Sequence, residues 1–110
     1  MNWIPLISDA QLLELNKKST QKPQVIFKHS TRCSISSVVL NRLKRFDLPQ
    51  EIDFYFLEVP AQRIISNKVA ELYSVYHESP QILLIRNGEC IYDESHAAIE
   101  MEEIIEQVSK

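Results

Sequence analysis

The segment Gln24-Val25-Ile26-Phe27-Lys28-His29-Ser30-Thr31-Arg32-Cys33-Ser34-Ile35-Ser36 decides the fold, because a strand, a polar loop and a helix start follow one another in it. Gln24–Lys28 is short and rich in strand-forming apolar side chains, which predicts a buried strand. Apolar residues recur with helical spacing from Ser34 to Phe46, and Pro49 stops the helix soon afterwards. The segment therefore predicts a strand at Gln24–Lys28 and a helix at Ser34–Phe46, with Cys33 at the end of the loop between them.

The rest of the chain continues this alternation of strands and helices. The further predicted elements are a helix at Asp9–Ser19 capped by Ser8, a strand at Asp53–Val59, a helix at Ala61–Tyr76, strands at Gln81–Arg86 and Glu89–Asp93, and a helix at Ala98–Ser109. Asn87-Gly88 is a strong hairpin signal between the last two strands. Alternating strands and helices need a parallel core, to which the hairpin adds an antiparallel edge. The order α-β-α-β-α-β-β-α predicts an α/β domain over residues 1–110, similar to the thioredoxin fold, with a four-stranded mixed sheet between helices.

The helical period also predicts which side chains face the core. The first helix carries Leu12, Leu13 and Leu15; Ile35, Val38, Val39, Leu43 and Phe46 lie on one face of the second; Ile64, Ile65, Val69, Leu72, Tyr73 and Tyr76 face inward in the third; and Met101, Ile104, Ile105 and Val108 form the apolar stripe of the last. Tyr73 and Tyr76 are thus expected in the core rather than in a binding platform.

Composition and charge exclude several function classes. The 110 residues are 45% hydrophobic and 25% charged, and the formal net charge of -3 offers no basic field for nucleic acid. The cluster Arg42, Lys44 and Arg45 lies at a helix end, where we expect it to be solvated. No apolar run reaches the length of a membrane span, and the start at Met1-Asn2-Trp3-Ile4-Pro5 lacks a basic region typical of signal peptides. We therefore expect a cytoplasmic protein with no nucleic-acid or membrane partner.

Cys33 is the main candidate for chemistry. At the amino terminus of a helix, free backbone N–H groups and the helix dipole favour the thiolate, which is the reactive form of cysteine. Arg32 adds positive potential, Ser34 offers its backbone N–H, and the Ser36 hydroxyl lies one turn away, where it can donate to the sulfur. Cys-x-x-Ser is the pattern of a one-cysteine thiol exchanger, since Ser36 cannot resolve a mixed disulfide. The alternative is that Cys33 is a small helix-capping residue.

A second motif, Glu78-Ser79-Pro80-Gln81, precedes the third core strand. This is where a thioredoxin fold keeps a cis proline facing the active cysteine, and cis X-Pro bonds usually serve a purpose. The backbone of Ser79 could then pair with an extended substrate segment. The alternative is an ordinary trans proline that opens a strand.

Both segments together resemble the monothiol bacilliredoxin family of the bacillithiol system, also called YtxJ-like proteins. The shared residues are Phe27-Lys28-His29-Ser30-Thr31, the cysteine, Ile35-Ser36, His77-Glu78-Ser79-Pro80-Gln81, Asn87-Gly88 and Ser95-His96. The resemblance runs from about Trp3 onward. One departure concerns Ser34, because members often carry proline directly after the cysteine. Proline is pre-organised for the first helical turn, so its absence leaves the thiol less rigidly placed.

The resemblance implies a monothiol oxidoreductase that uses Cys33 to remove bacillithiol from protein mixed disulfides. Its partners would be S-thiolated client proteins and bacillithiol, which is a co-substrate, with no bound cofactor and no metal. In such an enzyme, Thr31, His77, Ser79 and Pro80 would bind the substrate and the thiol. The alternative for His77 is a histidine at a helix end that meets the dipole. A closed zinc site is not expected either, since no Cys/His pair lies close in the sequence.

Other functions stay open at this stage. Monothiol glutaredoxins with Cys-x-x-Ser can carry an iron–sulfur cluster, although they favour glycine after the cysteine, where this chain has Ser34. A thioredoxin-fold binding module without redox turnover is the third class. Phosphatase chemistry is excluded, because it needs arginine six residues after the cysteine, and that residue is Val39.

Four other residues have weaker assignments. Cys90 is expected to be structural rather than a resolving thiol, and His96 to help begin the last helix. His29 either tunes the thiol or is a satisfied polar residue at a strand end. Glu58 has no partner carboxylate in the sequence pattern, so paired acid–base catalysis has no support.

Overall fold

Five strands and four α-helices alternate along the computed structural model, which describes residues 3–110. The elements are β1 (Ile4–Pro5), α1 (Asp9–Lys18), β2 (Gln24–His29), α2 (Ser34–Leu43), β3 (Asp53–Glu58), α3 (Arg63–Tyr73), β4 (Gln81–Arg86), β5 (Glu89–Ser95), a 3₁₀ turn (His96–Ala98) and α4 (Met101–Val108). In this part of the chain, no helix is both long and apolar enough to cross a membrane.

The strands form one mixed sheet in the order β1-β3-β2-β4-β5. β2 pairs parallel with β3 and antiparallel with β4, and β5 completes the hairpin on β4. This arrangement confirms the predicted α/β thioredoxin-like class. The additional strand β1 pairs parallel with β3 at the sheet edge. β1 has only two residues, one of which is Pro5, and so short a segment gives no strand pattern in the sequence. Proline is tolerated in an edge strand because its missing N–H costs no ladder hydrogen bond there.

Each face of the sheet is covered by a pair of helices. Side chains of α1 and α3 pack on one face with Ile26, Tyr55 and Leu83. Side chains of α2 and α4 pack on the other with Phe27, Phe54 and Leu84. Because β2 lies at the centre of the sheet and is covered on both faces, all six of its residues are buried.

Local capping explains several element boundaries. Ser8 caps α1 as predicted, with its Oγ accepting from the Gln11 N–H at 3.2 Å. Helix α3 ends at Tyr73, three residues before its predicted end, and Ser74 caps it in the left-handed conformation with φ of 54°. Asn87 and Gly88 both have positive φ, as a two-residue type I′ hairpin requires, which confirms the predicted turn.

The predicted inward faces of α2 and α3 were partly wrong. Ile35 and Val38 in α2 are exposed, because the buried stripe of this helix is Ser36, Val39 and Leu43. In α3, Ile64 and Leu72 are exposed, as is Leu13 in α1. Tyr73 lies in the core as predicted, but Tyr76 is 93% exposed. The helix ends at Tyr73, so its phase does not extend to residue 76.

Helix α2 also ends earlier than predicted, at Leu43 instead of Phe46. The following turn tightens, since the N–H groups of Arg45 and Phe46 donate to carbonyls three residues back. Arg42 in the last turn is not simply solvated. Its guanidinium donates to the carbonyls of Ala97, at 2.8 Å, and Ile99, and thereby ties α2 to the segment before α4.

Candidate active site around Cys33

The candidate site lies at one end of the sheet, where β2 and β3 end and β4 begins. The register pairs Lys28 of β2 with Gln81 of β4, so Pro80 lies beside the end of β2. The loop that leaves β2 leads to Cys33, and β3 ends in the same direction because it is parallel to β2. The fold thus brings the two predicted motifs, about fifty residues apart in sequence, to one place.

Cys33 is the N-cap residue of α2 and has an extended backbone conformation. Its thiol is free and half-buried, while Arg32 and Ser34 on either side are exposed. The Cys33 side chain makes no capping hydrogen bond to the helix. The backbone N–H groups of the first turn of α2 therefore remain available to stabilise negative charge at this position.

Backbone N–H groups of the loop between β2 and α2 hold it in place. The Cys33 N–H donates to the Ser30 carbonyl at 3.1 Å, and the Arg32 N–H donates to Ser30 Oγ at 3.3 Å. The Thr31 N–H donates to Glu58 Oε1 at 3.3 Å. Glu58, which has no catalytic pattern in the sequence, is thus a loop anchor at the end of β3.

Ser36 is fully buried beneath this loop. Its Oγ accepts from the Ser30 N–H at 3.0 Å, so the hydroxyl fastens the start of the loop to the first turn of α2. Sequence reasoning assigned the hydroxyl to the Cys33 sulfur. The hydrogen bonds of the described residues include none between these two side chains, and that donation stays a prediction.

His29 lies below the loop at the end of β2 and is buried. Its ring packs against Phe56 and Phe27, with ring centroids 5.3 and 6.0 Å away. Burial lowers the pKa of His29, and the carboxylate of Glu58 partly opposes this effect. Nδ1 has no hydrogen-bond partner among the described residues, so the imidazole is not the fully satisfied polar group that one sequence interpretation allowed.

The peptide bond between Ser79 and Pro80 is cis, which decides between the cis and trans alternatives that the sequence left open. Pro80 is buried, and its carbonyl accepts from the His96 N–H at 2.9 Å. The Ser79 Oγ is buried and has no hydrogen-bond partner in the described part of the chain. His96 begins the 3₁₀ turn before α4, and its Nε2 lies 3.0 Å from Glu78 Oε2, beside the same motif.

His77 contacts two buried groups that sequence reasoning did not assign to the site. Its Nδ1 lies 3.2 Å from Lys28 Nζ and 3.2 Å from Ser66 Oγ. Lys28 is fully buried, and burial lowers its pKa to about 8. The sequence signal that could have found Lys28 is its position directly after the apolar run Val25-Ile26-Phe27, in a strand predicted to be buried.

Cys90 lies at the opposite end of the sheet from Cys33. It pairs with Ile85, which pairs in turn with Gln24 at the start of β2, whereas Cys33 follows the end of β2. A strand rises about 3.3 Å per residue, so the two levels differ by about 16 Å, too far for a disulfide. The Cys90 thiol donates to the Tyr92 carbonyl at 3.3 Å, and burial raises its pKa to about 11.

Comparisons with known proteins agree with this geometry. The family model described as monothiol bacilliredoxin BrxC matches residues 4–104 of the chain. A solved thioredoxin-fold oxidoreductase superposes with a TM-score of 0.84 at 28% identity, covering 97% of this chain and 94% of its own.

Two thioredoxins are further structural neighbours. The Malassezia sympodialis protein has a TM-score of 0.75 and 19% identity, covering 97% of this chain and 88% of its own. The Schistosoma mansoni protein has a TM-score of 0.75 and 18% identity, covering 98% and 94%. At these identities the likeness to thioredoxins shows the fold alone.

Proposed function

This chain belongs to the monothiol bacilliredoxin family, and from that premise and the geometry of the site we propose that it removes bacillithiol from protein mixed disulfides through Cys33. Family membership and the similarity to a thioredoxin-fold oxidoreductase support a thiol redox function. The observation that carries the finer proposal is the position of one half-buried thiol. Cys33 caps α2 at the end of the sheet where Ser79-Pro80 precedes β4, and the other thiol lies at the far end of the sheet.

The proposed reaction has two exchange steps. The Cys33 thiolate attacks the bacillithiol sulfur of a protein–S–S–bacillithiol disulfide, and the client leaves as a thiolate that takes a proton from solvent. Cys33 then carries bacillithiol in a mixed disulfide. The thiolate of a second bacillithiol attacks the bacillithiol sulfur of this adduct, which frees the Cys33 thiolate and produces bacillithiol disulfide.

The surrounding residues have separate roles in this proposal. The first turn of α2, with the Ser34 N–H, and the exposed side chain of Arg32 stabilise the thiolate. Ser36 and Glu58 hold the loop in place through the Ser30 and Thr31 N–H groups. Thr31 at the loop, with His77, Ser79 and Pro80 before β4, lines the place where the disulfide of the substrate binds.

A peptide that carries one bacillithiol mixed disulfide tests the proposal. We expect the reduced protein to free the peptide thiol and to gain the mass of one bacillithiol, which added bacillithiol then removes. Cys33→Ser should abolish release, whereas Cys90→Ser, the matched control, should retain it. The same peptide with a glutathione mixed disulfide measures selectivity for the thiol.

Two outcomes would contradict this function. Release of the peptide by Cys33→Ser at the wild-type rate would mean that the thiol of Cys33 is not the nucleophile. A reduced wild-type protein that forms no adduct would favour a binding module over an oxidoreductase.

A further inference from the structure

Lys28 is a buried cation whose partners are not carboxylates. Its side chain is fully buried between β2 and α3, and Nζ donates to the Ser66 carbonyl at 3.1 Å. Its second neighbour is Nδ1 of His77, at 3.2 Å. Among the described residues, no Asp or Glu oxygen lies within ion-pair distance of Lys28. Burying an ammonium group without a counter-ion costs free energy. The two hydrogen bonds of Lys28 Nζ partly offset this cost.

The chemistry of the two groups fixes the proton on the ring. An ammonium group has three N–H donors and no acceptor, so the contact exists only if Nδ1 of His77 accepts. A neutral imidazole that accepts at Nδ1 carries its proton on Nε2. A doubly protonated ring would place two cationic donors against each other. The contact therefore selects the neutral Nε2–H form of His77.

The contact of the His77 ring with Ser66 is compatible with both neutral tautomers. Ser66 Oγ lies 3.2 Å from the same Nδ1, and a hydroxyl both donates and accepts. Ser66 would accommodate either tautomer, so the selection depends on Lys28. All hydrogen bonds between the His77 ring and the described part of the chain go to Nδ1, and Nε2 is left for another partner.

His77 lies in the segment that carries the Ser79-Pro80 motif. It is half-buried and precedes the Ser79–Pro80 bond by two residues, in the segment that leads to β4. We propose that Lys28 is a positioning residue that holds His77 as the neutral Nε2–H tautomer, so that the ring presents a hydrogen-bond donor to the substrate disulfide beside Ser79-Pro80. The substrate half of this inference rests on the proposed function, whereas the tautomer can be measured without it.

The charges around the ring support the neutral form. Burial, Lys28 of β2 and Arg63 of α3 lower the pKa of His77, and Glu78 in its own loop partly opposes them. The pKa of Lys28 is itself lowered to about 8, by burial. Below that pH the side chain is an ammonium group that only donates. Above it, a neutral amine is a better acceptor than donor, and the Nδ1–H form of His77 becomes accessible.

Nitrogen-15 NMR of the histidine rings tests the tautomer directly, with His77→Gln identifying the signals of this residue. We expect Nδ1 of wild-type His77 to be unprotonated and Nε2 to carry the proton at pH 7. In Lys28→Met, the two nitrogens should show a mixture of both forms. Lys68→Met, which removes an exposed lysine from α3, is the matched control and should behave as wild type.

A titration of the wild type covers the case in which Lys28→Met does not fold. We expect an Nδ1–H population to appear as the pH rises above about 8, where Lys28 loses its proton. A protonated Nδ1 in the wild type at pH 7 would overturn the proposal. So would a tautomer that is unchanged in folded Lys28→Met, or unchanged in the wild type between pH 7 and 9.5.

The proposed contact between His77 and the substrate is tested with the peptide that carries a bacillithiol mixed disulfide. Lys28→Met should raise KM about two- to tenfold, the effect of one hydrogen bond, with little change in kcat. In a His77→Ala background, Lys28→Met should raise KM no further, because the effect acts through the ring. Additive effects would overturn the substrate role of His77. A wild-type protein that shows no turnover but has the expected tautomer would contradict the proposed function and leave the role of Lys28 in selecting the tautomer intact.

Discussion

At the scale of single residues, the two cysteines have opposite environments. Cys33 is half-buried at a helix start where its own side chain makes no capping hydrogen bond, and Thr31 and Arg32 before it are exposed. Cys90 lies in β5, packs against the core beside α1 and α3, and donates its thiol hydrogen to the Tyr92 carbonyl. One thiol is thus placed to react, and the other is held as a neutral group.

This contrast predicts selective alkylation. At pH 7, iodoacetamide should modify Cys33 and leave Cys90 almost untouched, because burial raises the pKa of Cys90 to about 11 and only the thiolate reacts. Modification of Cys90 should begin only as the pH approaches that value. Peptide mapping after timed alkylation measures both rates in one sample.

The variants Cys33→Ser and Cys90→Ser serve as controls for the assignment of each rate. Equal alkylation of both thiols at pH 7 in the folded protein would contradict the environments described above.

At the scale of elements, the start of α2 determines what the thiol can reach. Cys33 occupies the N-cap position, and Ser36 lies one turn later on the buried face. Side chains three residues apart on a helix are neighbours, with Cβ atoms about 5–6 Å apart. A second thiol at residue 36 would therefore lie within reach of the first.

Ser36→Cys should convert the monothiol site into a dithiol site. After treatment with a low-molecular-weight disulfide, intact mass should show the wild type with one thiol adduct. The variant should instead have lost two hydrogens and carry no adduct, because the new thiol displaces the bound one. In an α-helix the Cα atoms of residues three apart are about 5 Å from each other, within the Cα separation of about 4.4–6.8 Å that a disulfide accepts.

Ser34→Cys is the matched control, since adjacent helical residues do not face each other. It should keep an adduct on Cys33. If Ser36→Cys retains its adduct as long as Ser34→Cys does, residue 36 does not face the thiol, and the geometry assigned to the start of α2 is wrong.

At the scale of the whole molecule, the buried lysine affects the free energy of unfolding. Lys28 has a pKa of about 8 in the folded protein, against about 10.5 when it is exposed. Between these values the unfolded chain binds a proton that the folded protein does not, so this group makes the wild type more stable as pH rises. Below about pH 8 both states are protonated, and the full cost of burying the charge is present.

Lys28→Met should remove this pH dependence. Its stability relative to the wild type should decrease by about 3 kcal/mol as pH rises from about 8 to 10.5, from the difference in pKa. Urea unfolding at a series of pH values measures the change. Cys90 titrates in part of this range, but it is present in both proteins and cancels in the difference.

Lys68→Met, on the surface of α3, should show no comparable trend against the wild type. A constant difference between Lys28→Met and the wild type across this range would mean that Lys28 titrates in the folded protein as it does in the unfolded chain.

The sequence by itself determined the features that depend on local backbone chemistry. Strand and helix periods predicted the order of elements and the α/β class, and Asn87-Gly88 predicted the hairpin. The same reasoning placed Cys33 at a helix start. Each of these depends on residues close together in the chain, where steric preferences, hydrophobic period and capping act directly.

Only the tertiary structure decided which side chains meet across the sheet. Lys28 and His77 are 49 residues apart, and Thr31 and Glu58 are 27 apart, so no local pattern links them. The exposure of Ile35 and Ile64 depends likewise on which face of each helix the sheet covers. Local preferences define the elements, whereas the packing of α3 and the loop before β4 against β2 brings a buried lysine to a histidine.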